Sequence, residues 1–167
     1  MKEGDVIPVE ELQRLSILFA YPDELPGGQA DAARAKEADG VRLKNLQAEY
    51  VRLFINSLPE VPCPPYGSFY IEGSLMGEST VRLRKLHLSY GLLTDEMPDH
   101  IAVELELLML LGALSGKDSD MHRDYEFVLG HLRHWVPCFL DRVEENDESG
   151  FYRDLSRWAR KVLCVET

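Results

Sequence analysis

Apolar side chains recur every three or four residues along most of this 167-residue chain, the spacing that aligns one face of an α-helix. No stretch shows the strict alternation of apolar and polar residues that marks a half-buried strand. We therefore predict an all-α fold, a single-domain helical bundle over residues 1–167 with one core. The predicted helices cover about residues 8–21, 41–54, 80–90, 98–114, 118–142 and 148–165, with a loop and a weak polar helix between Pro22 and Gly40.

The predicted helix at 98–114 is apolar on nearly every side, which is typical of a helix at the centre of a bundle. It nevertheless contains Glu104 and Glu106. A buried charge is costly unless it is paired, so we expect these carboxylates to face a groove or to meet a cation. In the helix at 118–142, Pro137 predicts a bend or a break, because proline lacks the N–H that a helical hydrogen bond requires.

Helical spacing stops between Ser57 and Tyr70, where four prolines occur in fourteen residues. A helix does not tolerate that density of missing donors, so this segment is predicted to be an extended loop. The loop also carries Tyr66 and Phe69 besides Tyr70. A loop rich in aromatic residues is expected to pack under the domain or to line a site.

The charge balance bears on the class of partner. Asp and Glu number 29 against 18 Lys and Arg, a formal net charge of −11, which repels nucleic acid and favours cationic partners, although it also serves solubility. The longest apolar run, Leu107–Leu111, is far too short to cross a bilayer, and the first residues lead into no apolar signal segment. We therefore expect a cytoplasmic protein without stable membrane insertion, with its three separated cysteines reduced.

Neither a cofactor nor a metal is predicted. The glycines between residues 67 and 77 are not followed by the Lys-Ser/Thr of a phosphate-binding loop. His131, His134 and Cys138 would share one helix face, but Pro137 interrupts that face and a fourth ligand is not evident.

The densest group of functional side chains is Asp95–His100 together with Glu104. On a helix that starts at Pro98, His100 and Glu104 are four residues apart and could hydrogen bond, so His100 could be a general base. The same arrangement could equally cap a helix and anchor a loop. No nucleophile accompanies it, so a small hydrolase that uses Asp99, His100 and Glu104 is the alternative and not the prediction. A helical protein-interaction module is a further alternative.

Two segments together carry a family resemblance. The first is Cys63–Tyr70 (CPPYGSFY), which continues through Leu75–Thr80 (LMGEST) into a helix, and the second is Glu96–Glu106 (EMPDHIAVELE). They resemble the TorD/DmsD/NarJ family of redox-enzyme maturation chaperones, which has a Pro-x-x-Ser-x-Tyr-type loop followed by a Glu-Pro-x-Asp-His-type motif at the start of a long central helix. This chain departs from the pattern at Tyr66, where some members carry Trp, and in the spacing of Glu96–His100.

The resemblance implies a TorD-like bundle that is not an enzyme and that binds the twin-arginine leader, or its vestige, of a molybdopterin oxidoreductase catalytic subunit. Such chaperones hold back export until the cofactor and subunits are in place. Either a monomer or a domain-swapped homodimer is compatible with the long loop. Carried over by position, the leader-binding residues are Tyr66, Ser68, Tyr70, Pro98, Asp99 and His100.

The residues support the same mechanism on physical grounds. A leader with two arginines and an apolar stretch needs carboxylates beside an apolar, aromatic groove. We expect the carboxylates to come from Asp95, Glu96, Asp99 and Glu104. We expect the apolar groove to come from Tyr66, Phe69, Tyr70, Leu75 and Met76.

Overall fold

The computed structural model describes residues 6–26, 33–114 and 119–164, apart from the side chains of 33–38. These residues contain no β-strand, which confirms the all-α prediction, and the only bridge among them joins single residues of two loops. The α-helices are α1 (Val9–Phe19), α2 (Ala33–Tyr50), α3 (Gly67–Glu72), α4 (Glu78–Ser89), α5 (Ile101–Leu114), α6 (Ser119–Asn146) and α7 (Phe151–Leu163).

Helix α5 lies at the centre of the bundle, as its all-round apolar character predicts. It packs against α1 on one side and against α6 on the other, and α6 also packs against α7 and α3. Ile101, Leu105 and Leu108 of α5 are completely buried. Burying such side chains contributes about 1.5–3 kcal/mol each relative to leaving them in water, so this central helix stabilises the core together with the buried face of α6.

Helix α2 begins earlier and extends further than predicted. It starts at Ala33 and not near Val41, so the polar helix expected between Pro22 and Gly40 covers residues 33–40 and is continuous with the next predicted helix, while residues 27–32 lie outside the described part of the chain. Its end widens into a π-helical turn, Val51–Ile55, which Asn56 closes by donating its N–H to the Val51 carbonyl at 2.8 Å.

The extended loop predicted from Ser57 to Tyr70 is wrong for its last four residues, which form the start of α3. The last proline is Pro65, so every residue after it has an N–H to donate, and packing against α6 stabilises the short helix. Gly73 ends α3 in the left-handed region at φ 72°, where a side chain would be strained.

Helix α6 is continuous through Pro137, so of the predicted bend or break the break is wrong, and the helix runs on to Asn146. Proline costs α6 one backbone hydrogen bond, but Trp135, Val136 and Phe139 around it are buried in the core. Tertiary packing thus outweighs the local preference. The remaining predicted helix ends agree with the structure within about three residues, except that residues 118 and 165 lie outside the described segments.

Across the described residues, the structure contains no helix that combines the length and apolar character needed to span a membrane.

Candidate functional site

The two motif segments meet where α3 and α5 begin. Tyr66 and His100 form an isolated antiparallel bridge, in which Gly67 donates its N–H to the Asp99 carbonyl and Ile101 donates to the Pro65 carbonyl, both at 2.9 Å. The Tyr66 and His100 rings meet edge-on with centroids 5.3 Å apart. We call Pro65–Ser68, Glu96 and Asp99–Ile101 the junction.

Asp99 and Ser68 form the buried part of the junction, and neither is exposed at all. The Asp99 Oδ2 accepts the backbone N–H of Ser68 at 2.9 Å, which satisfies a donor in the first turn of α3. Pro98 beside them is buried too. These predicted site residues therefore hold the two segments in register and do not present their side chains to a partner.

Glu96 supplies the exposed carboxylate of the junction. It accepts the Met97 N–H at 2.8 Å and lies 3.4 Å from the Tyr66 hydroxyl that donates to it. Burial and the Glu96 charge raise the pKa of Tyr66 to about 12, so its hydroxyl keeps its proton at neutral pH. The half-buried Tyr66 ring and the Glu96 carboxylate thus present an aromatic and an anionic group side by side.

His100 does not pair with Glu104 as the four-residue spacing suggested. Its Nδ1 accepts the Ala102 N–H at 3.2 Å, which leaves the ring proton on Nε2. Burial lowers the pKa of His100, although Glu96 and Asp99 act in the opposite direction. His100 is therefore a neutral imidazole at neutral pH, in contact with the Tyr66 ring.

Glu104 is completely buried and meets α6 instead. Its Oε2 lies 2.8 Å from the His131 Nδ1, and its Oε1 accepts the Trp135 Nε1–H at 3.2 Å. Burial raises the pKa of Glu104 to about 7 despite the opposing effect of His131. Burial also lowers the pKa of His131, but the hydrogen bond and charge of Glu104 outweigh it and the net shift is upward. Glu104 therefore has His131 as its hydrogen-bonding partner, a group that is a cation only when it is protonated.

Glu106, two residues after Glu104 and on another face of α5, is exposed. It lines a groove beside Arg14, in agreement with the expectation for the second glutamate of α5.

Helix α6 also holds the aromatic residues of the loop. Tyr70 stacks on Trp135 with ring centroids 5.5 Å apart, and the Arg142 guanidinium lies 5.4 Å from the centre of the Phe69 ring. Arg142 also donates to the Pro62 carbonyl at 3.1 Å. Both Phe69 and Tyr70 are half-buried, so they pin α3 to the bundle and keep only part of each ring for a partner.

Leu75 and Met76 lie at the other end of α3, in the turn before α4. They are 48% and 72% exposed, so this predicted apolar contribution is accessible. Met76 has φ 60°, in the left-handed region that non-glycine residues rarely adopt.

Sequence reasoning missed the contribution of α6 to the site, namely His131, Trp135 and Arg142. They lie 25 or more residues beyond the second motif, and their helical spacing indicates only packing. A usable signal did exist, because a buried Glu104 requires a hydrogen-bonding partner.

No metal centre is found among the described residues, where no three His, Cys, Asp or Glu side chains lie close enough to hold an ion. His131 pairs with Glu104, while His134 and Cys138 are exposed. Asp99, His100 and Glu104 bond to different partners and do not converge on one point, so the hydrolase alternative is not favoured.

Comparison with known proteins agrees with this architecture. A family model described as nitrate reductase delta subunit matches residues 22–141. The chain is 30% identical to the Tat proofreading chaperone DmsD of Salmonella typhi, over 72% of this chain and 60% of that protein. It is also 30% identical to the chaperone protein TorD of Aeromonas salmonicida, over 75% of this chain and 60% of that protein. The aligned part thus spans about three fifths of these relatives' length.

A solved structure extends the similarity to nearly the whole chain. A crystal structure from Archaeoglobus fulgidus, described as a redox enzyme maturation protein, is 33% identical with a TM-score of 0.66 and aligns over 98% of this chain and 100% of that one.

Proposed function

This chain belongs to the TorD/DmsD/NarJ family of redox-enzyme maturation chaperones, and we propose that it binds the leader peptide of a molybdopterin oxidoreductase catalytic subunit. The leader is of the twin-arginine type or a vestige of one. By covering it, the chaperone delays export until the cofactor is inserted and the subunits are assembled. Because this step precedes export, the chaperone acts in the cytoplasm, as a monomer or as a domain-swapped homodimer.

The observation that carries this proposal is the junction, where two residues thirty positions apart in the sequence place an aromatic ring beside an exposed carboxylate. A guanidinium binds a carboxylate through charge-assisted hydrogen bonds, and an apolar leader segment needs an apolar surface. Glu96 supplies the carboxylate. Tyr66 and the exposed part of Phe69 begin the apolar surface, and Leu75 and Met76 continue it past α3.

The buried motif residues act indirectly in this mechanism. Asp99 orders the start of α3 through Ser68, and Glu104 fixes α6 against α5 through His131. The leader meets a surface whose shape is set before binding, which reduces the conformational entropy lost on association. Of the four carboxylates expected from the sequence, only Asp95 and Glu96 are thus left to contact an arginine directly.

Calorimetric titration tests the proposal with a panel of synthetic twin-arginine leader peptides from molybdopterin oxidoreductase catalytic subunits. We expect at least one peptide to bind with micromolar Kd. The Tyr66→Ala and His100→Ala variants should weaken that binding about tenfold, because each removes half of a ring pair at the junction.

Glu96→Gln should weaken the same binding about two- to fivefold, as loss of one exposed ion pair does. Glu145→Gln is its matched control, since it removes an equal charge from an exposed position of α6 outside the junction. Failure of every leader to bind the folded protein would exclude the proposed function. Unchanged binding in both ring variants would exclude the junction as its site.

A further inference from the structure

A second concave surface lies at the far end of α3, between the turn that leads into α4 and the outer face of α6. Its volume is about 490 Å³. We call it the α4–α6 groove, and its lining includes Glu72, Glu78, Arg82, Glu126, Phe127 and His131.

The charged groups of this groove favour a cation. Three carboxylates, those of Glu72, Glu78 and Glu126, face one arginine. Glu72 is held in place, because its Oε1 accepts the N–H of Ser79 at 2.9 Å and the hydroxyl of the same residue. The groove therefore combines three exposed carboxylates, one of them held in place by hydrogen bonds, on a protein that is acidic as a whole.

The one arginine shows which cation fits. The Arg82 guanidinium lies over the Phe127 ring, 4.5 Å from its centroid. A planar guanidinium stacks on an aromatic face and binds carboxylates at its edge, which a lysine ammonium does less well. The groove thus already accommodates a guanidinium, in the place where an arginine from a partner would lie.

An independent observation comes from His131, whose side chain is only 10% exposed. Its Nδ1 lies against Glu104, a side chain added at Gly67 would meet its Cε1 at 2.8 Å, and the residue is part of the groove lining. This buried Nε2 has no hydrogen-bond partner among the described residues. A buried polar atom of this kind is costly unless a ligand or water satisfies it, and with the ring proton on Nδ1 it accepts a hydrogen bond.

We propose that the α4–α6 groove binds an arginine side chain of the client leader, in the place that Arg82 occupies in the free protein. This inference rests on the proposed function and adds where one leader arginine binds. The incoming guanidinium would stack on Phe127, pair with Glu78 and Glu126 and donate to the His131 Nε2. Arg82 competes with the leader arginine for this position and must move away from the Phe127 ring when the leader binds.

The distance between the groove and the junction suits a single peptide. Helix α3 has six residues and connects the two, which corresponds to about 9 Å along its axis. An extended peptide covers about 9 Å with roughly three residues. One leader can therefore place an arginine in the groove and its following residues at the junction.

A double-mutant cycle between protein and peptide tests the inference, with the tightest-binding leader peptide of the panel as the probe. Each arginine of that peptide is replaced by glutamine in turn, and Kd is measured for the wild-type protein and for Glu78→Gln/Glu126→Gln. We expect one arginine replacement to weaken binding to the wild-type protein about five- to tenfold, but to the double variant less than about twofold. For the Glu145→Gln variant, the same arginine replacement in the peptide should weaken binding as much as it does for the wild-type protein.

Replacing Arg82, which competes with the leader arginine, should change the peptide affinity in the opposite direction. Arg82→Ala should tighten binding of the arginine-containing peptide about two- to fivefold, because Phe127 and the carboxylates are then free. Arg84→Ala removes the same charge from an exposed position of α4 outside the groove lining and should tighten binding less.

Each outcome decides between the two proposals. If the arginine penalty persists in Glu78→Gln/Glu126→Gln and disappears in Glu96→Gln, the arginine binds at the junction, so the groove inference is wrong and the proposed function stands. Equal effects of Arg82→Ala and Arg84→Ala would also overturn the inference. If no leader peptide binds the wild-type protein, both proposals fail.

Discussion

At the scale of single residues, the polar side chains around the junction divide by exposure. Asp99 and Glu104 are fully buried and accept hydrogen bonds from neighbouring elements, whereas Glu96 is exposed. A buried carboxylate can be held only by such bonds, since its transfer from water is costly without them. Position in the fold, and not residue type, therefore separates residues that order the site from those that can touch a partner.

Gly67 shows how closely the site is packed at this scale. A methyl group added there would meet the His131 Cε1 at 2.8 Å and the Trp135 Nε1 at 3.0 Å. We predict that Gly67→Ala lowers the free energy of unfolding by about 1–3 kcal/mol, because α3 must shift away from α6. Urea unfolding followed by circular dichroism measures the change.

The matched control is Gly130 in the middle of α6, where an added methyl group would meet nothing within 4 Å. Gly130→Ala should raise the free energy of unfolding by about 0.5–1 kcal/mol, the usual gain in a helix. Equal effects of the two substitutions would contradict the close contact between α3 and the α6 side chains.

At the scale of elements, the turn between α6 and α7 is organised by one buried carboxylate. Asp147 is 2% exposed and accepts the N–H and hydroxyl of Ser149 at 2.9 and 2.7 Å, and the N–H of Arg153 at 2.9 Å. Arg153 is the third residue of α7, so Asp147 satisfies a donor of its first turn from outside the helix. Burial alone would raise the pKa of Asp147, but these donors stabilise the carboxylate and the pKa is lowered.

We predict that Asp147→Asn lowers the free energy of unfolding by about 1–3 kcal/mol at neutral pH, because hydrogen bonds to a charged acceptor are lost. A lowered pKa in the folded state stabilises the fold at pH above the ordinary Asp value of about 4, and this contribution is lost as the pH falls through the lowered value. The difference between wild type and variant should therefore narrow below about pH 4. Urea unfolding at several pH values measures it.

Asp154→Asn serves as the control on the same helix, because the Asp154 side chain is 80% exposed and its substitution should change stability little at any pH. A difference between Asp147→Asn and wild type that stays constant down to about pH 3 would show that Asp147 does not act through its charge.

At the scale of the whole molecule, the protein has a formal net charge of −11 and two candidate surfaces that could bind a cationic side chain, the junction and the α4–α6 groove. Screening by salt weakens interactions between exposed charges, since the Debye length falls from about 10 Å at 0.1 M to about 3 Å at 1 M. The carboxylates that a leader would meet, such as Glu96 and Glu126, are exposed, so their contribution is of the kind that salt reduces.

We predict that raising NaCl from about 50 to about 500 mM weakens leader binding about three- to tenfold. The same peptide with both arginines replaced by glutamine should lose much less, because its remaining contacts are apolar. Calorimetric titration at several salt concentrations measures both. An equal salt dependence of the two peptides would show that the arginines do not meet the carboxylates.

What the sequence determined by itself is local. The three-to-four-residue spacing of apolar side chains predicted most of the helices and the central position of α5. It could do so because the apolar face that a helix buries is visible in the sequence of that helix alone. The family motifs likewise predicted that residues around Tyr66 and around His100 belong to one site, and the bridge between them brings them together.

Only the tertiary structure decided the rest. Gly67–Glu72 form a helix, α6 is continuous through Pro137, and Glu104 pairs with His131, twenty-seven residues away. The tertiary structure also left Glu96 exposed while it buried Asp99. The physical reason is common to all of these: packing between helices supplies free energies that exceed local preferences of one to a few kcal/mol, and a pattern within one helix carries no information about which residue of another will face it.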